Sequence, residues 1–295
     1  PSGRLAAANA ASAMSRLAQE HPSNQVLIAQ VGGIVPLVRL LVACSDATDN
    51  ADRQLQREMA AALRSMALGS EPNQVAVAEA GAVPSLVRLV CGGATEVHAA
   101  AAGALWSLGA LPANQELIAR EGGIAPLVRL LSAGQLDVQE AAAGALHNLA
   151  ARSDNCLEIN EAGGVHALVS LFERGTEESK VQAAGALSLM SVGHMDIQTT
   201  VAKSLVLTLS ESESSAAREH VTHLVRKLSP DPGNRSALSR ADAVPHLVCQ
   251  LRDGSSAGSA SATAALVQLA FESADHRIQV TQQLVALLGS DVEET

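Results

Sequence analysis

One spacing, repeated along the whole chain, limits what it can fold into. The stretch Gly122–Ala150 reads GGIAPLVRLLSAGQLDVQEAAAGALHNLA: a Gly-Gly break, a leucine-rich segment, a polar loop with a glycine, then an alanine-rich segment. Apolar residues recur three and four apart on both sides of the loop, which predicts two helices, each buried on one face. The first leucine of the leucine-rich segment recurs as Leu37, Leu86, Leu127, Leu168, Leu205, Leu247 and Leu284. The place of Asn148 recurs as Arg16, Ser65, Ser107, Asn148, Leu189, Lys227 and Gln268. A third column, Asn24, Asn73, Asn114, Asn155, Asp196, Asn234 and Asp275, advances by 49, 41, 41, 41, 38 and 41 residues. Each member of this column stands before a short apolar run, where it is expected to cap a helix by accepting a bond from a first-turn N–H.

The unit is therefore a short helix, a break, a second helix, a loop and a long third helix, and a period of about forty residues marks a helical solenoid. The strings N-Q-x-x-I-A-x-x-G-G-I-x-P-L-V-R-L-L and A-A-x-G-A-L-x-N-L-A, both present in 114–150, resemble the armadillo repeat, and the likeness runs along essentially the whole chain. The Gly-Gly or Gly-Ala break separates it from the related HEAT repeat. The resemblance implies an all-α, right-handed superhelical solenoid of three-helix repeats, a single array over 1–295. Its expected parts are a lone third helix at 1–20, repeats at about 24–69, 73–110, 114–151, 155–192, 196–229 and 234–270, and a partial repeat at 275–288. Repeat one carries about seven extra residues around Cys44–Asp52, expected as a polar surface loop. Repeat five lacks the glycine break, and only 16 residues separate Leu189 from Leu205, so its first two helices should be shortened or fused. The last unit repeats this shortening between Gln268 and Leu284. The chain opens near a third-helix pattern (Leu5–Ala18) and closes after a second-helix pattern (Gln282–Leu288), as expected of a piece cut from a longer array or multidomain protein.

The residues are 47% hydrophobic but only 1% aromatic, so the core must be built from Leu, Val, Ile and Ala, which suits closely stacked helices. A net charge of −10 argues against nucleic acid as the partner and favours basic or apolar ones. The apolar segments are too short and too periodic for a membrane span. Cys44, Cys91, Cys156 and Cys249 are scattered without a C-x-x-C pair and read as reduced thiols of a cytoplasmic or nuclear protein.

No catalytic, cofactor or metal motif stands up to its structural requirements. Gly254–Gly258 spells G-x-S-x-G, but a nucleophile elbow needs a strand before the serine, and a helix is expected there. His220 and His223, with Glu219, share a helix face but no third ligand cluster completes a metal set. Asn234-Arg235-Ser236 is a glycosylation sequon placed at a helix start. The Ser/Glu run at 210–215 is either a phosphoacceptor cluster or, more in keeping with its composition, a capped helix start.

In the armadillo family the third helices line a concave groove that holds partners as extended peptides. Members resembling importin-α use an Asn at the Asn148 place and a Trp four residues earlier. Here only Asn148 keeps the Asn, and the earlier place holds Ser12, Ala61, Gly103, Gly144, Gly185, His223 and Ala264, so a nuclear-import receptor is disfavoured. The resemblance implies a non-enzymatic protein-interaction scaffold whose groove residues are Ser65, Gly103, Trp106, Ser107, Gly144, His147, Asn148, Gly185, Lys227 and Gln268. Trp106, the only tryptophan, is assigned either to this surface or to packing between repeats. Gly103, Gly144 and Gly185, costly in mid-helix, imply close approach by a neighbouring helix or by a ligand chain. Glu96, Asp137, Glu140 and Glu178 would make one rim acidic, and Arg39, Arg88 and Arg129 would form an outer basic strip. Alternative roles are the targeting part of a larger enzyme such as a ubiquitin ligase, and self-association through the ends of the array.

Overall fold

Helix follows helix throughout the computed structural model, which describes residues 2–19, 21–46, 49–92, 94–271 and 274–293. The fold is an all-α solenoid with no strand among the described residues. Two compact units divide it, Pro1–Gly164 and Val165–Thr295. The first unit contains α1 (Ser2–Ala18), α2 (Pro22–Gln30), α3 (Ile34–Cys44), α4 (Asn50–Ala67), α5 (Glu71–Glu79), α6 (Ala82–Gly92), α7 (Thr95–Leu108), α8 (Pro112–Arg120), α9 (Ile124–Ala133), α10 (Leu136–Leu149) and α11 (Ser153–Glu161). The second contains α12 (Gly164–Arg174), which starts at the boundary, then α13 (Glu177–Met190), α14 (Met195–Glu211), α15 (Ser215–Leu228), α16 (Pro232–Arg240), α17 (Ala243–Asp253), α18 (Ser256–Ala270) and α19 (Ala274–Glu293).

In the first unit like packs on like. Third helix lies on third helix (α1 on α4, α4 on α7, α7 on α10), second on second (α3, α6, α9) and first on first (α2, α5, α8). The third helices are buried on most sides, through Ala101, Ala102, Ala104 and Leu105 in α7 and Ala141–Ala143, Ala145 and Leu146 in α10. A helix apolar nearly all round must be a core helix, and alanine lets its neighbours come close. The second helices bury one stripe, as Leu37, Val38 and Leu41 do in α3, and leave Arg39, Arg88 and Arg129 in solvent. In the second unit α15 packs between α13 and α18, and α17 packs against α14 and α19.

The break between first and second helices turns the chain by 79° from α2 to α3 and by 81° from α5 to α6. Its first glycine takes positive φ at Gly32, Gly81, Gly122 and Gly163 (74° to 86°), a conformation that strains an L side chain. Repeat six has Asp242 there, held at φ 64°. The units without this glycine behave as their sequence implies: α14 is one unbroken helix of 17 residues and α19 one of 20.

The asparagine column does something other than cap. Asn114 is 3% exposed and sits inside α8, three residues past Leu111, the cap residue. Its Nδ2 donates to the carbonyl of Leu108 at the end of α7 (3.0 Å) and to that of Gln74 in the preceding first helix (3.3 Å). Asn73 donates likewise to Met66 O and Gln25 O, Asn155 to Leu149 O and Asn24 to Leu17 O. The next residue repeats the move, Gln74 onto Ala67 O and Gln115 onto Gly109 O. The last four carbonyls of a helix have no partner within it. These side chains are therefore donors to the third helix before them, and not acceptors at the start of their own. True caps lie elsewhere: Asp49, Thr176, Ser214, Asp231 and Ser255 each accept the N–H three residues on.

The extra residues of repeat one are in part helix. α4 has 18 residues against 14 in α7 and α10, while Ala47 and Thr48 lie outside the described residues. The added turn places Asp52, 3% exposed, against Arg4 of α1 at 2.7 Å. All four cysteines are free, and burial pushes the Cys44 and Cys156 thiols up to about 11.

Two outcomes test this account of the repeat junctions. Asn114→Asp should destabilise the protein by about 1–3 kcal/mol, as much as Asn114→Ala, because a carboxylate cannot donate to the buried carbonyls of Leu108 and Gln74. A capping residue would tolerate that change, so urea denaturation of both variants separates the two roles. Asp242→Gly should raise the urea midpoint, by about 1 kcal/mol of stability, by removing the strain of a side chain at positive φ.

Candidate functional site

The third-helix surface of the first unit is set by side chains that reach across to the next repeat. Arg64 of α4 lies over Gly103 of α7, where an added Cβ would stand 2.8 Å from Arg64 Cδ. The Trp106 ring of α7 lies over Gly144 of α10, and any Cβ there would land on the indole. These glycines serve packing between repeats: each opens a seat for one large side chain from the helix before it. Both are buried, as is Ser107 at 6% exposure, so of the expected groove residues these three are covered. Trp106 is itself half-buried, so the two readings of it combine: one side roofs the next helix and the rest meets solvent.

Asn148 is also half-buried, and its Nδ2 donates to Trp106 O at 2.9 Å, leaving the carboxamide oxygen and the second N–H for another group. His147, beside it, is half-buried. Ser65 is half-buried and shares a hydrogen bond with Ser15 of α1 at 3.0 Å. Ser65, Trp106, His147 and Asn148 thus give α4, α7 and α10 a row of polar and aromatic groups at one level. Glu96 and Asp137 are exposed in the first turns of α7 and α10, and Glu140 is half-buried a turn further along α10.

In the second unit Gly185 and Gln268 are half-buried and Lys227 is exposed. Glu178 stands exposed in the first turn of α13. The solvent stripe of α15 runs through Glu219, His220, His223, Arg226 and Lys227, at the i, i+3, i+4 spacing of one helix face. His220 Nδ1 lies 3.2 Å from Lys180 Nζ, and its ring meets Phe172 edge-on at 6.3 Å. His223 Nδ1 lies 3.3 Å from a guanidinium nitrogen of Arg226. Burial, then Arg226, Lys227 and His220, push the His223 imidazole below its usual 6.5, so it is neutral at pH 7. Cations crowd both Nδ1 atoms, and no group of three or more His, Cys, Asp or Glu among the described residues is arranged to hold a metal. The G-x-S-x-G string is a helix start: Ser255 Oγ accepts from Gly258 N and donates to Glu219 at 2.7 Å. The sequon residue Asn234 is 4% exposed and bonded to Ser191 Oγ. Ser214, in the Ser/Glu run, caps α15 through Ala217 N.

Arg64 and Arg226 are the parts of these surfaces that the sequence pattern does not point to, whereas Lys227 is among the groove residues to which it does. A signal for Arg64 exists: each mid-helix glycine follows a large residue one repeat earlier, 39 residues before Gly103 and 38 before Gly144. Arg226 hides because a basic last turn also suits the helix dipole.

A family model, the Armadillo/beta-catenin-like repeat, matches residues 70–110 and 112–151. A search of curated proteins finds no match. Among solved structures, an engineered protein aligns over 94% of this chain and 77% of its own at 24% identity and TM-score 0.66. A second engineered protein aligns over 81% and 96% at 28% identity and TM-score 0.62. A designed armadillo repeat protein in complex with the peptide (KR)4 aligns over 80% and 99% at 22% identity and TM-score 0.61. Two armadillo repeats are thus recognised at 70–151, and the rest of the described helices form a solenoid similar to that of armadillo-repeat proteins.

Proposed function

We propose that this protein is a non-enzymatic interaction scaffold that holds an extended segment of a protein partner on its third helices. The observation that carries this reading is the row Ser65, Trp106, His147 and Asn148 on α4, α7 and α10. An aromatic ring anchored over Gly144, beside a carboxamide with unused hydrogen-bonding capacity, has the make-up of an interface hot spot. An extended peptide has one free N–H and C=O per residue, and a carboxamide meets both. Designed armadillo proteins of the same fold support the reading: one is in complex with (KR)4 and others were made for modular peptide recognition. Exposed Glu96 and Asp137 suit a partner with basic residues at that edge of the first unit. A cytoplasmic or nuclear setting agrees with four free thiols.

Trp106 provides the test, because it is the only tryptophan and its emission reports this surface alone. Peptides selected from a phage-displayed library on the purified protein should shift its emission and protect it from acrylamide quenching. Asn148→Ala should weaken them at least fivefold while costing about 1 kcal/mol of stability through the lost bond to Trp106 O. Selected peptides that leave Trp106 emission and quenching unchanged would remove this surface as the site.

A further inference from the structure

The second unit carries a third-helix surface of different chemistry, and on a chain of net charge −10 it is cationic. Arg226 and Lys227 are both exposed, and no carboxylate of the described residues pairs with either. Acids on this side are engaged elsewhere: Asp231, four residues past Lys227, accepts from Asn234 N at 2.8 Å, and Glu219 accepts from Ser255 Oγ at 2.7 Å. α18, packed alongside, presents no charge on its exposed positions Ala260, Thr263 and Val267, and Phe271 follows at its end. By repeat register Val267 and Gln268 stand level with Arg226 and Lys227. Val267 is 50% and Phe271 69% exposed. Beside them, between α18 and α19, lies a largely apolar cavity of about 330 Å³ whose walls include Leu266, Val267, Phe271, Val280 and Leu284, with Arg277 as its one charged residue. It opens where α19 runs straight, without the break that lets other repeats fold a second helix back.

Packed helix axes lie about 8–10 Å apart, so the path from the α15 stripe over α18 to the cavity is on the order of 10–15 Å. An extended chain covers that in roughly three to five residues at about 3.3 Å each. We propose that the α15 stripe and this cavity form one docking site for an acidic peptide segment, whose carboxylates meet Arg226 and Lys227 and whose bulky apolar side chain, three to five residues away, enters the cavity. Charge complementarity selects this occupant: a basic segment would meet two unpaired cations, and a purely apolar one would cover them without a partner. The chain's overall negative charge does not prevent it, since exposed charges beyond a Debye length of about 8 Å are screened at physiological salt. This site extends the scaffold reading to the second unit and rests on the third helices being the working face.

The test uses fluorescein-labelled dodecapeptides with two adjacent glutamates and a phenylalanine four residues away, made in both sequence directions. Their controls replace both glutamates by lysine, or the phenylalanine by glycine. Fluorescence polarisation with the full chain should show binding in one direction at least, weakened at least tenfold by each replacement and several-fold between 50 and 300 mM salt. Arg226→Glu with Lys227→Glu, and separately Val267→Asp, should each reduce binding at least tenfold. Charge reversal in the last turn of α15 opposes the helix dipole and should lower the melting temperature by a few degrees only, leaving the fold intact at assay temperature, and Arg129→Glu, exposed on α9, should leave binding unchanged. Equal binding of the lysine peptide, no binding of either glutamate peptide, or charge-reversed protein that binds normally would overturn the proposal. The Trp106 experiment is independent of these peptides, so the scaffold reading survives such a failure when selected peptides still perturb Trp106 and lose affinity in Asn148→Ala.

Discussion

Every third helix ends with carbonyls that its own backbone cannot satisfy, and in this fold those ends are covered by the next repeat. Leaving such groups buried and bare costs about as much as a lost hydrogen bond for each. The Asn and Gln of α5 and α8 answer this by donating inward, Asn73 and Gln74 onto the end of α4, Asn114 and Gln115 onto the end of α7. Because Asn114 also reaches Gln74 O, and Asn73 reaches Gln25 O, the same donors tie first helix to first helix. The repeat-to-repeat step is thereby pinned at one edge of the array, while the alanine-rich faces of the third helices close it at the other. Repeat one takes its insertion between α3 and α4, where it lengthens a helix and adds the Arg4–Asp52 pair instead of displacing a donor.

How much of this a sequence reveals depends on whether a feature repeats. Helix class, the glycine break and the merging of α14 and α19 follow from columns of like residues, because period and backbone conformation act within one repeat. The asparagine column was equally visible, yet its direction was not. Asn accepts and donates with similar ease, and only the position of the preceding helix end, which is tertiary, decides that Nδ2 is the working atom. The glycine column was legible as close approach, but what approaches is set by residues 38 or 39 positions earlier. Arg64 and Trp106 are unlike in every property except length, so no pattern of type exposes them. On α15 the repeat column picks out Lys227 and the histidine spacing draws the eye to metal, but Arg226 stands one place outside the column, so the pairing of two cations shows only in the folded helix.

The surface of each third helix is thus governed by two neighbours at once. A large residue at the end of one helix needs a small one on the next: Arg64 faces Gly103 and Trp106 faces Gly144. By the same register Ser188 stands opposite His223, and Arg226 opposite Ala264, so the sizes remain complementary when the order is reversed. Recognition along such a surface changes by pairs of residues and not singly. Trp106 can present an edge to a partner only because residue 144 lacks a side chain, and filling that seat would push the ring off the helix. Stability and specificity are coupled here through that one contact. In a solenoid, where each repeat meets only its neighbours, the coupling ends after one repeat. That locality lets one chain carry an aromatic, hydrogen-bonding surface on α7 and α10 and a cationic, apolar one on α15 and α18, while the donor beneath changes from Asn114 and Gln115 after α7 to Arg235 after α15.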